Sequence, residues 1–188
     1  IIPDFIWSNY QYIFEGCFDF NVDACLTFRT YASTLFYCFF AWLLTLIIGF
    51  TVAFFLAFHV RSIPLQIALF LLCTIPFWTS NVIRMVSWIP LLGRNGLFNE
   101  FLLNLGVIQS PVEWFLYSPF AVLLAFVHLY TLFMIVPIFN SMIRIDNSVI
   151  EAAYDSGSSG LQILTNIIVP LCKPGILIGS IFVITVVM

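Results

Sequence analysis

The sequence predicts an all-α, polytopic membrane protein, and three observations predict it. Hydrophobic residues make up 62% of the 188 residues and charged residues only 8%, too little polar surface to cover a soluble globule of this size. The apolar residues gather in runs near the length a helix needs to cross a bilayer, about 20 residues. The polar residues gather between those runs, and proline and glycine punctuate the junctions.

Residues 1–30 hold Asp4, Glu15, Asp19 and Asp23 against Arg29, with Trp7, Tyr10 and Tyr12 among them. They read as an acidic, interfacial, extracytoplasmic segment. Cys17 and Cys25 lie in it; an oxidising compartment would allow a disulfide between them, but two unlinked thiols are the expectation. The first span is expected over 31–58, without a charge, closed by His59 and Arg61. A second is expected over 65–83, opened by Pro64 and kinked at Pro76, where Thr79, Ser80 and Asn81 can satisfy a freed carbonyl or line a polar path. Residues 84–117 alternate polar and aromatic groups and predict an outer loop with an interfacial helix from roughly Gly96 to Leu105. The third span is expected over 118–143, with His128 and Pro137 inside it, and the last over 176–188. Those thirteen residues fall short of a crossing, and the chain opens on Ile1 rather than Met, so it reads as a fragment with its last span cut off.

Between the last two runs, 144–175 form the most polar stretch of the second half. Ser148 and Glu151 have capping-box spacing, so a short helix is expected to start there. Gly157 and Gly160 interrupt it, and a second short helix is expected from Leu161 to Val169, stopped by Pro170 and Pro174. Ala152, Ala153, Ile163, Leu164, Ile167 and Ile168 give these helices apolar faces. Such faces pack either on the membrane surface and the chain's own helices or on a partner protein; the pattern alone fits both.

Glu151-Ala152-Ala153, Gly157, Ile167 and Val169-Pro170 keep the spacing EAA-x3-G-x9-I-x-LP, with Val169 where leucine is usual and Ser158 where alanine often follows the glycine. This resembles the signature of the permeases of ABC importers. The resemblance implies a MetI-like helical bundle, here lacking its first span and the end of its chain. It also implies an ATPase-coupling role for Glu151, Ala152, Ala153, Gly157, Ile167 and Pro170, whose helices would sit in a groove of an ATP-hydrolysing subunit. Pro76 to Trp88, Gly93 to Ile108 and Ser118 to Leu124 are further similar to permeases of spermidine/putrescine importers. The implied partners are an ATP-binding subunit dimer, a second permease subunit, an extracytoplasmic solute-binding protein and membrane lipid. The implied location is the bacterial inner membrane, crossed several times. Iron, sulfate, thiosulfate and molybdate permeases share the scaffold and are the alternative cargo classes.

The rest of the chemistry is read from residues. No GxxxxGK[ST] occurs, so ATP hydrolysis falls to a partner and no catalytic residue is expected in this chain. The five cysteines form no CxxC, which argues against a metal site, and no cofactor is expected. Six Lys and Arg are spread over the whole length, which argues against nucleic acid. A secondary transporter would need ionisable residues inside its spans, whereas all nine Asp and Glu fall in the expected loops. A polycation needs carboxylates and aromatic faces along its route. The candidates for a substrate pathway are Trp78, Thr79 and Asn81 beside the kink and Glu100 and Glu113 near the outer mouth. Arg84 reads as an interfacial snorkelling residue, and His128 as a buried group bonded to a neighbouring helix. His59, Arg61, Arg144 and Lys173 share one side, which the positive-inside rule assigns to the cytoplasm together with the EAA loop. Arg84 and Arg94 oppose this from a longer loop, where the rule is weaker.

Overall fold

The computed structural model describes residues 26–106, 108, 110–111 and 118–188, and every regular element among them is helical. Helix α1 runs Leu26–Phe54 and passes into a π-helical turn, Phe55–His59. Helix α2, Ile63–Thr74, continues into a 3-10 turn, Ile75–Trp78, before the chain bends into α3, Asn81–Val86. Two short helices, α4 (Ile89–Leu92) and α5 (Leu97–Asn104), lead towards α6, Pro119–Met142. Helix α7, Asn147–Asp155, precedes α8, Gly160–Ile163, which runs through a π turn, Leu164–Ile168, into α9, Val169–Val187.

Among the described residues, three helices are long and apolar enough to cross a membrane: Phe28–His59, Pro119–Met142 and Gly160–Val187. Inside a bilayer, apolar contact between helices gains little over contact with lipid tails, so close approach of backbones decides which helices stay together. α6 is the helix that both others approach. A Cβ on Gly49 of α1 would stand 2.9 Å from the Cβ of Met134, and one on Gly179 of α9 would stand 2.7 Å from its Sδ. One turn along, a Cβ on Gly175 would stand 2.5 Å from the carbonyl oxygen of Pro137. Gly175 and Gly179 thus form a G-x-x-x-G seam against α6. Met134, Ile138 and Met142 are fully buried along α6, with Ala53, Cys172 and Val183 facing them.

The sequence expectations hold unevenly. The apolar run expected over 118–143 is one helix, Pro119–Met142, with the Ser118 hydroxyl accepting from the Ala121 N–H at 3.2 Å to cap it. The second apolar run is not one straight span: Ile63–Trp78 and Asn81–Asn104 meet at 93°. Thr79 donates its hydroxyl to the Pro76 carbonyl at 2.7 Å, the kind of local satisfaction that a proline break needs. The expected stop at Pro170 and Pro174 is corrected, because the helix runs unbroken from Gly160 to Val187. The π turn ends two residues before Pro170 and takes up the lost backbone bond and the ring's bulk locally. The last helix is therefore 28 residues long, and it does not begin at Ile176.

Candidate functional site: the EAA loop and the broken helix

α7 owes its position to its two ends and one buried residue. Its N-terminus is not capped by the expected Ser148 and Glu151 pair: Asp146 is the cap, its carboxylate accepting the Ser148 N–H at 3.0 Å. That N–H, and secondarily the Ser148 hydroxyl, hold the Asp146 carboxyl below its ordinary range. At the C-terminus, Gly157 takes φ +80. The Ser158 N–H returns to the Ala153 carbonyl at 3.1 Å and the Gly157 N–H to the Tyr154 carbonyl at 2.9 Å. This is a Schellman closure, and it explains the glycine of the signature, since other residues meet strain at that φ. A capping box does occur one helix later: Ser159 donates its N–H to Gln162 Oε1 at 2.8 Å, and Gln162 returns its own to Ser159 Oγ at 3.4 Å.

These ends fix which part of the signature faces where. Ala153 is buried with Ile163 and Ile168 against the end of the bundle, in the same cluster as Met142 and Cys172. Glu151 and Ala152 point outward, as do Pro170 and Gly157, while Ile167 is half-buried. The buried face thus packs on the chain's own helices, and the opposite face is exposed. A groove of about 670 Å³ lies beside it, with Arg61 and Gln66 on one wall and Ile150, Glu151 and Tyr154 on the other.

At the broken helix, Trp78 is 85% exposed, the highest value among the large apolar side chains. Thr79 and Asn81 are also exposed. Arg84 corrects the expectation of a snorkelling residue. It is only 7% exposed, its Nη2 donates to Asn81 Oδ1, and its Nε has no hydrogen-bond partner among the described residues. His128 is corrected too: it is exposed, and its ring lies edge-on to Trp88 with centroids 5.5 Å apart. Glu100 sits exposed in the first turn of α5, away from Thr79 and Trp78 in sequence. Glu113, Cys17 and Cys25 lie outside the described residues. The sequence reading missed Phe133 and Phe182, whose rings continue the line from Phe77: centroids are 5.6 Å apart between Phe77 and Phe133 and 6.3 Å between Phe133 and Phe182.

A bundle of membrane-length helices with a structured EAA loop closing one end, half of it anchored and half presented, has the make-up of a helical transporter permease. No family model matches the chain. It is 39% identical over 143 residues to the spermidine/putrescine transport system permease protein PotB of Escherichia coli, covering 76% of this chain and 51% of that protein. It is 34% identical over 144 residues to PotB of Haemophilus influenzae, covering 76% and 49%. To the inner membrane ABC transporter permease protein YdcU of E. coli it is 26% identical over 147 residues, covering 72% and 46%. Over about three quarters of its length the chain is thus similar to curated permeases of transport systems, ABC permeases among them, and it spans about half the length of the curated relatives it matches.

Proposed function

We propose that this chain is the membrane-spanning, non-catalytic subunit of an ATP-driven importer of polyamines in the inner membrane. The observation that carries the reading is the divided EAA loop. Ala153, Ile163 and Ile168 tie it to the bundle, while Glu151 and Ala152 remain outside on a helix capped at both ends. A surface of that kind transmits a push, because its outer face can take a partner and its inner face is already part of the helices that must move. Similarity to permeases named for spermidine and putrescine supports the cargo class.

In this reading the EAA loop lies in the cytoplasm and docks on one subunit of an ATPase dimer. A second permease completes the pathway, and a solute-binding protein delivers cargo from outside. ATP-driven closure of the dimer displaces α7 and the Gly160 end of the last helix, which biases a two-state arrangement of the spans. Glu151, Ala152, Gly157, Ile167 and Pro170 serve the coupling with Ala153. Trp78, Thr79, Asn81, Glu100 and Glu113 serve the substrate route.

The test is reconstitution of the complete importer in vesicles with its binding protein. Spermidine-loaded binding protein is expected to stimulate ATP hydrolysis and drive uptake of labelled spermidine. Stimulation by a loaded anion, with none by polyamine, would overturn the cargo assignment. Uptake that persists without the ATPase would overturn the importer reading itself.

A further inference from the structure

We infer that the aromatic groove between the broken helix and the last span binds the alkylammonium cargo through ring faces, with Phe77, Trp78, Phe133 and Phe182 as the wall and Asn140 as its one amide. This rests on the polyamine reading above and adds to it the residues that read the cargo. The groove encloses about 560 Å³, within the range of roughly 300–1,000 Å³ typical of small-molecule sites. Among the described residues its lining contains no charged one.

Lipid is the first rival occupant, and the backbone argues against it. Phe77 meets Phe133, which lies in the middle of α6, so the break at Thr79 and Ser80 is at the depth of the membrane-length helices. The residues there have extended backbone, Thr79 with ψ 148 and Ser80 with ψ 137. Irregular backbone at that depth is tolerated beside protein or water but not beside hydrocarbon tails. Asn140 argues the same way, since it exposes an amide into the groove from a membrane-length helix.

The chemistry of the lining then selects the cargo. A linear amine presents methylenes and ammonium groups in alternation. Methylenes pack on rings, ammonium groups are attracted to ring faces, and the Asn140 carbonyl oxygen accepts an N–H. The rings form a continuous line from Phe77 through Phe133 to Phe182, with Trp78 beside it, so a chain can slide from ring to ring without meeting a fixed counter-ion that would hold it. Weak, repeated attraction of that kind suits passage, because a site that binds too tightly does not release.

The experiment uses the complete importer in vesicles and replaces Trp78 with a series of tryptophans carrying one to three ring fluorines, which keep shape while weakening the ring's attraction for cations. Wild-type protein is read first. Labelled spermidine uptake is expected to fall stepwise along the series, reaching about tenfold at full fluorination. Trp78→Phe is expected to stay within about threefold, and Trp78→Leu to lose about tenfold. A paired Phe133→Leu, Phe182→Leu variant tests the wall from the other two helices, and co-purification of the partner subunits confirms assembly of each variant. Uptake that is flat along the fluorine series and in the paired variant would overturn the groove assignment while leaving the importer standing. A wild-type importer that takes up no polyamine would overturn the cargo reading and this inference together.

Discussion

Pro137 and Pro174 lie inside unbroken helices, whereas the chain bends by 93° just beyond Pro76. Each proline removes one backbone donor and crowds the preceding turn by the same amount. Their surroundings differ. Pro137 and the turn after Pro174 meet across the glycine seam, where the Pro137 carbonyl stands 2.5 Å from a Cβ on Gly175, and close packing on both helices holds their course. Helix α2 has no buried residue and leans on the bundle through partly buried Leu69, Phe70 and Cys73, which hold the helix before Pro76 and leave the chain after it free to turn. Proline proposes a bend, and packing decides whether it occurs.

The largest effect should come from breaking the seam. Gly175→Val would press two methyl groups onto the Pro137 carbonyl and the Ser141 side chain, where the backbone has no room to give. We expect a loss of about 3 kcal/mol, read as a lower unfolding midpoint in detergent, and a new bend in the last span. Gly179→Ala should cost less, because the nearest atom is the Sδ of a flexible methionine. Equal losses at the two glycines would mean that the seam is not what constrains the prolines.

Pro76→Ala tests the other half. With no fully buried residue in α2 and its contacts to the bundle all made before Pro76, through Gln66 and Phe70, restoring the donor should let the helix continue through Thr79, since the proline penalty in a helix is about 3 kcal/mol. Spin labels at Ile67 and Met85 should move apart in pulsed dipolar spectra. Pro174→Ala should leave the path of the last helix unchanged by the same measurement. A further pair of substitutions separates stability from transport. Gly157→Ala forces a Cβ into φ +80 and should cost about 1 kcal/mol, whereas Glu151→Lys lies on the exposed face and should stay within about 0.5 kcal/mol. Both should abolish transport by the reconstituted importer; normal uptake in Glu151→Lys would sink the docking role.

The smallest effect belongs to Asp146. Its carboxyl is held below the ordinary value of 3.8 by the Ser148 N–H and hydroxyl. A depressed folded-state pKa stabilises the protein fully above the ordinary value, and that contribution disappears as pH falls through the folded one. Asp146→Asn should therefore lower the unfolding midpoint slightly at neutral pH and match wild type in strong acid. A difference that grows on acidification would reverse the assignment.

What the sequence disclosed and what it hid divide along the same line between local and tertiary causes. The EAA spacing was readable because its glycine answers a local need, the Schellman closure of one helix. The helix Pro119–Met142 was readable because its proline start, cap and apolar run are contiguous. The choice between Asp146 and Ser148 as cap was not, since both can accept and the outcome depends on where Ala153 must be buried. Gly175 and Gly179 are visible at their spacing, but their partners Pro137 and Met134 lie far back along the chain, on another helix. Arg84 and His128 exchanged their expected environments because burial there depends on the 93° bend, which pattern alone does not measure. Phe133 and Phe182 hide among 22 phenylalanines, with no periodicity to separate groove from lipid.

The unbroken Gly160–Val187 rod has 28 residues, a length of about 42 Å at 1.5 Å per residue. Tilting such a rod by about 5° about one end carries its far tip through roughly 4 Å. Little displacement is needed at the capping box for a side chain's width of opening at the opposite tip, provided that the turn at Leu164–Ile168 does not flex. Leverage in this molecule would then be a matter of arm length, and the stiffness of one π-helical turn would set how much of the stroke arrives.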